Sequence, residues 1–185
     1  PCSFHYVDAA ERKEPVDLLL FAVKFGGLPA AMETCRHLVG PETTLVSGLN
    51  GIASEPMLGD AFGADKVVWC VAQKMSAKKE GNQVTVDPVG ELALGVPAGQ
   101  ADGHLRRLSA FFDAIHFPYS LHPDIRTHMW SKLLCNTGCN QATIAFQCSY
   151  GGVQVPGKAR EAMLGAMREV VAVANAEGVA LSEAD

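Results

Sequence analysis

The segment Val16-Asp17-Leu18-Leu19-Leu20-Phe21-Ala22-Val23 is apolar at every position but Asp17, and it stops at Lys24. An unbroken apolar run of this length reads as a parallel strand covered on both faces. Phe25-Gly26-Gly27 then forms a loop, Pro29 to Leu38 has helical spacing, and Val39-Gly40-Pro41 carries the glycine and proline expected after a helix. Thr43-Thr44-Leu45-Val46-Ser47 is a second β-rich run, ending in the polar turn Gly48-Leu49-Asn50-Gly51. Two strand-loop-helix units in succession predict a parallel sheet with right-handed crossovers.

From Lys66 the pattern changes. Val67-Val68-Trp69-Cys70-Val71, Gln83-Val84-Thr85-Val86 and Leu92-Ala93-Leu94-Gly95 are short β-rich runs between polar turns, one of which holds Lys78-Lys79, and they predict an antiparallel meander. Asp102 to Ile115 has helical spacing, with Leu105, Leu108, Phe111 and Phe112 as its apolar stripe. Phe117 to Leu121 returns as an edge strand, limited to an edge by Pro118. Beyond His122-Pro123 the strand signals vanish. Asp124 to about Gln147 reads as one long helix with an acid at its start. Lys158 to Ala176 reads as a second, with Ala162, Leu164, Met167, Val170, Val171 and Ala174 on its buried face and Gly178 closing it. The expected fold class is α/β: residues 1–121 as an α/β part built on a sheet, and 122–185 as an all-helical part.

Composition excludes several function classes. A net charge of −5 without any Lys/Arg cluster argues against a nucleic-acid partner. No apolar run approaches the ~20 residues of a membrane span, so a cytoplasmic protein without a membrane partner is expected. The six cysteines are scattered and lie mostly in apolar segments, which suits reduced core thiols. Cys135 and Cys139 fall one helical turn apart, but no His or Asp at ligand spacing completes a metal set, and no metal is expected.

In open parallel sheets ligands bind beyond the carboxyl ends of the strands, which directs attention to Lys24 and Asn50. Each has a bland alternative, a surface lysine and a turn asparagine. A second constellation is Lys132, Asn136 and Asn140, spaced by four and so within an arc of roughly 80° on one helix face. Asparagine is a poor helix former, so two on one stripe between Met129, Trp130, Leu133, Leu134, Cys135 and Ile144 suggest the lining of a pocket; the alternative is a solvated face. An ammonium can hydrogen-bond a ketone oxygen and release a proton to it, and carboxamides can orient carboxylate or hydroxyl groups. No nucleophile-base pair and no Walker-type loop accompany the stripe.

Several motifs together resemble the ketopantoate reductase (2-dehydropantoate 2-reductase) family. They are Asp17 to Lys24, Thr43 to Ile52 with its Asn-Gly, and Asp124-Ile125-Arg126 followed by Trp130-Ser131-Lys132-Leu133-Leu134-Cys135-Asn136, Asn140 and Thr143. The resemblance implies a Rossmann-like domain followed by a 6-phosphogluconate-dehydrogenase-like helical domain. It implies Lys132 as general acid, Asn136 and Asn140 as substrate-binding residues, and Lys24 and Asn50 near the nicotinamide end of NADPH. The implied reaction is reduction of ketopantoate to pantoate in pantothenate and coenzyme A synthesis, with a 2-oxo acid as small-molecule partner and a homodimer left open. Gln141 stands where the family usually has proline, and Gly48 where it has a polar residue, so the reduction of another 2-oxo acid is an alternative. A noncatalytic dinucleotide-binding or dimerisation module is a further one. No Gly-x-Gly-x-x-Gly occurs, and the family's later serine and acid have no counterpart, so a protein incomplete at both ends is expected.

Overall fold

The computed structural model describes residues 5, 7–86 and 89–182, and the chain divides into two compact units. The first comprises residues 1–49 and 53–123; the second comprises 124–185 together with the short segment Asn50–Ile52.

In the first unit a five-stranded sheet runs in the order β1 (Leu18–Phe21), β2 (Thr44–Ser47), β3 (Val67–Gln73), β6 (Glu91–Gly95), β7 (Tyr119–Leu121). The first three strands are parallel, as two successive strand-loop-helix units require. Helix α1 (Leu28–Cys35), extended by a 3₁₀ turn over Arg36–Leu38, joins β1 to β2, and α2 (Ser54–Phe62) joins β2 to β3. Leu28, Met32 and Leu58 from these helices pack on Phe21, Leu45 and Val67 of the strands.

The apolar run at 16–23 is a shorter strand than its hydrophobicity suggests, and it is not covered on both faces. β1 pairs only with β2 in the described sheet, and Leu20 is 55% exposed. The strand with that burial is β2, all four of whose residues are buried between neighbours on either side.

The expected meander is also corrected. β3 pairs antiparallel with β6, but β4 (Ala77–Glu80) and β5 (Gln83–Val86) form a separate, wholly exposed hairpin between them. Ala-Lys-Lys-Glu offers no apolar face to bury, so Lys78 and Lys79 lie on an exposed strand rather than in a turn. β7 then pairs parallel to β6 at the sheet edge, in agreement with Pro118, after the crossover helix α3 (Gly103–Ala114). On α3, Leu108 and Phe112 are buried one turn apart and Phe112 meets Phe117 at 4.7 Å, whereas Phe111, expected on the same stripe, is half exposed.

The second unit is helical. Asp124 caps α4 (Ile125–Cys135): its Oδ1 accepts from the Thr127 N–H at 3.0 Å, which holds the carboxyl below the usual carboxylate range. The helix expected from 124 to 147 is not uniform. A π-helical turn, Asn136–Asn140, separates α4 from α5 (Gln141–Ala145). Within it Gly138 is buried where a Cβ would stand 2.5 Å from the Met167 side chain of the facing helix α6 (Lys158–Ala176), so a larger residue there would force Met167 to move. Trp130 and Leu134 pack on Val170, Ala174, Val179 and Leu181. On α6 the expected face holds for Leu164, Met167, Val170, Val171 and Ala174, but at its start Met163 is buried and Ala162 is exposed. The helix ends in a Schellman arrangement, with Val179 N–H on the Ala174 carbonyl, Gly178 N–H on the Asn175 carbonyl, and Gly178 at φ 75°.

Candidate functional site

The predicted residues fall into two groups, one just beyond the ends of β1 and β2 and one along the helical stretch from α4 through the π-helical turn. On the sheet, the last paired rung of β1 and β2 is Phe21 opposite Ser47, and Lys24 and Asn50 each follow that rung by three residues. Lys24 is exposed in extended backbone, its carbonyl accepting the Gly27 N–H at 2.8 Å, which closes the 3₁₀ turn Phe25–Gly27. Asn50 is exposed at a turn that Gly51 completes with φ 103°, a conformation L side chains rarely adopt. Asn50–Ile52 groups with the helical unit, where Ile52 packs on the cluster around Trp130.

Under this turn lies a buried polar chain absent from the sequence reading. Leu49 N–H donates to Ser47 Oγ at 3.2 Å, Ser47 Oγ donates to Ser54 Oγ at 2.8 Å, and Ser54 Oγ donates to Glu55 Oε2 at 2.9 Å. Ser47, Ser54 and Glu55 are all buried. Burial pushes the Glu55 carboxyl up to about 7, against the opposing pull of the Ser54 hydrogen bond. The only sequence signal for this chain was a serine closing an apolar strand and a Ser-Glu pair opening a helix.

In the helical unit the structure brings Asn136 and Asn140 into direct contact. Asn140 Nδ2 donates to Asn136 Oδ1 at 3.1 Å, and the Tyr150 hydroxyl donates to Asn140 Oδ1. Lys132 stands in the last turn of α4, half-buried like both asparagines, and its carbonyl accepts the Asn136 N–H. The expectation that the stripe is hemmed in by apolar residues holds only toward its N-terminal end. Met129, Trp130 and Leu134 are buried, but Cys135 is exposed and Ile144 is 74% exposed. No periodicity or motif pointed to Tyr150, which reaches Asn140 from the irregular stretch after α5.

A cavity of about 570 Å³ lies elsewhere, at the amino ends of β1 and β2, lined by residues that include Arg12, Asp17, Arg107 and Phe111. Parallel sheets bind ligands beyond the carboxyl ends of their strands, and this cavity is at the other end. Among the described residues no helix is long and apolar enough to cross a membrane, no group of three or more His, Cys, Asp or Glu side chains gathers as a metal would need, and the cysteines are free thiols.

Two family descriptions match the chain: "Ketopantoate reductase PanE/ApbA" over residues 3–99 and "Ketopantoate reductase PanE/ApbA C terminal" over residues 124–185. A curated 2-dehydropantoate 2-reductase from Caulobacter vibrioides is 29% identical over 176 residues, covering 94% of this chain and 57% of that protein. The crystal structure of 2-dehydropantoate 2-reductase from Geobacter metallireducens superposes with a TM-score of 0.81 at 25% identity, over 97% of this chain and 60% of the other. D-mandelate dehydrogenase with NADH and anilino(oxo)acetate superposes with a TM-score of 0.82 at 18% identity, over 94% of this chain and 56% of the other, a likeness of fold alone. The chain thus spans somewhat over half the length of the relatives it matches. Its architecture, a Rossmann-like part followed by a helical part, is that of these reductases.

Proposed function

Because the chain belongs to the ketopantoate reductase family, we propose that it forms part of an NADPH-dependent reductase of a 2-oxo acid, ketopantoate being the first candidate. Residues 1–121 belong in this reading to the cofactor domain and 122–185 to the catalytic domain. The observation that carries it is the pairing of the Asn136 and Asn140 carboxamides one turn beyond the half-buried Lys132.

The chemistry follows from those groups. Asn140 Oδ1 is occupied by Tyr150, and Asn140 Nδ2 serves Asn136 Oδ1, so the hydrogens left to meet a ligand lie on the Asn136 amide and the second Asn140 N–H. A face of N–H donors beside an ammonium suits the carboxylate and hydroxyl oxygens of a 2-oxo acid. In the reduction a hydride adds to the C2 carbonyl carbon, the carbonyl π bond breaks toward oxygen, and Lys132 Nζ gives that oxygen a proton, yielding the 2-hydroxy acid. NADPH, when bound, would supply the hydride.

The residues at the strand ends fit one end of a dinucleotide. Lys24 offers an exposed cation and Asn50 an exposed carboxamide, each beyond the carboxyl end of a parallel strand. Reduction of ketopantoate would place the protein in pantothenate and coenzyme A synthesis. A related 2-oxo acid is the second reading, favoured by the exposed Gln141 at the start of α5, immediately after Asn140. Following NADPH absorbance with the whole gene product against a panel of 2-oxo acids separates the two. Fastest turnover of ketopantoate supports the first, and turnover only of another acid replaces it. No oxidation of NADPH with any acid would leave a noncatalytic module.

A further inference from the structure

The proposed chemistry makes no use of Glu55, yet few side chains in the described chain are so fully enclosed, at 1% exposure. One carboxyl oxygen, Oε2, accepts from Ser54; the other, Oε1, is buried without a hydrogen-bond partner. A leucine or methionine in the first turn of α2 would fill comparable volume without an unmade hydrogen bond, so packing alone does not explain a carboxyl there. What the carboxyl does provide is a terminus. The Leu49 N–H and the hydroxyl protons of Ser47 and Ser54 all point one way along the chain, and Glu55 Oε2 is its last acceptor. Ser47 ends β2, Leu49 immediately precedes Asn50, and Ser54 opens α2, so both stems of the Asn50 turn hang on this one group.

We propose that Glu55 is a positioning residue for the cofactor-side loop: its neutral carboxyl group holds both stems of the Asn50 turn through Ser54 and Ser47, and its ionisation loosens them. The proposal rests on the reading that Asn50 faces a dinucleotide. Ionisation would strengthen the Ser54 hydrogen bond to Oε2, but it would also leave negative charge on the buried Oε1, which has no donor, and the relief within reach is movement of the turn toward water.

The surroundings leave the carboxyl to titrate by burial. β2 and β3, which flank α2, carry no charged residue. The charges nearest in the fold sit elsewhere. Asp60 lies toward the far end of α2, Asp65 and Lys66 pair on the turn after it, and Glu33 and Arg36 pair at the end of α1 with Arg36 over the Phe62 ring. Lys24 is exposed after β1. Desolvation is the dominant influence on Glu55, and it places the change close to neutral pH.

Two measurements on the whole gene product test this. The first is the Kd for NADPH by fluorescence titration from about pH 6 to 8, compared between the native protein and Glu55→Gln, which keeps an acceptor for Ser54 but cannot ionise. The cofactor's own phosphate titrates alike in both, so their ratio isolates Glu55. The native protein is expected to weaken several-fold relative to Glu55→Gln as pH rises. The second is NMR without cofactor, in which the Leu49 and Asn50 amide shifts are expected to follow the Glu55 side-chain carboxyl with one midpoint. A Kd ratio that stays constant with pH, or Leu49 and Asn50 shifts that ignore a titrating Glu55, overturns the proposal and leaves Glu55 a packing residue. Absence of NADPH binding in both proteins at every pH would instead sink the dinucleotide reading, and the amide shifts would then decide the positioning role by themselves.

Discussion

The two polar groupings of this chain are built in opposite ways. In the helical unit Asn136, Asn140 and Tyr150 meet by local contacts among half-buried or exposed side chains, on a helix whose turn widens where they sit. At the ends of β1 and β2 the candidate residues Lys24 and Asn50 are exposed and stand apart from the buried Ser47, Ser54 and Glu55. A helix presents several functional side chains on one stripe and needs little support for them. A strand-end turn presents one and depends on a buried framework to fix it. Substitutions in the first region should therefore act on chemistry and substrate, and those in the second on cofactor affinity and stability.

The largest effect is expected at Lys132. Replacement by alanine removes the proposed proton donor and should lower kcat by a factor of ~10²–10⁴ in steady-state kinetics of the whole gene product, with little change in the NADPH Kd by fluorescence titration. Near-normal kcat in a folded variant would return Lys132 to a structural role.

Glu55 should separate the regions most clearly on stability. The folded protein holds its proton up to about pH 7, whereas the unfolded chain releases it near the ordinary value of 4.5. The stabilisation is therefore full below about pH 4.5, declines as pH rises, and is gone above about 7, a change of about 3 kcal/mol for the shift. Urea unfolding across that range should show this slope in the native protein and its loss in Glu55→Gln. Equal slopes would mean that Glu55 ionises normally.

Asn136→Ala and Asn140→Ala should each weaken substrate binding by about 1–3 kcal/mol and leave NADPH binding nearly unchanged by calorimetry. Unchanged substrate affinity with a lower Tm would assign the pair to helix packing instead. The smallest effect is expected from Tyr150→Phe, which removes only the hydroxyl that orients Asn140. A rise in KM worth about 0.5–1.5 kcal/mol at unchanged kcat is expected. An equal fall in kcat would place Tyr150 nearer the reacting atoms.

The sequence by itself determined the parallel pairing of β1 with β2, the span of α6 and the alignment of Asn136 with Asn140, because each rests on local periodicity that burial enforces within a few residues. Even the contact of the two asparagines survived the π-helical turn, since they remain one turn apart along the same helix. Tertiary structure alone decided the rest. The β4-β5 hairpin left the sheet because Lys78, Lys79 and Glu80 gave it no face to bury. Met163 replaced Ala162 on the inner face of α6, a unit in which Gly138 draws Met163 and Met167 close. Tyr150 reached Asn140 through an irregular stretch whose geometry no periodic pattern encodes. A serine after a strand is ordinary, and an acid in a helix's first turn is ordinary. Only the folding of α2 back against β2 and β3 encloses that acid, leaves one of its oxygens without a donor, and turns a common helix-start residue into a group that titrates near neutrality.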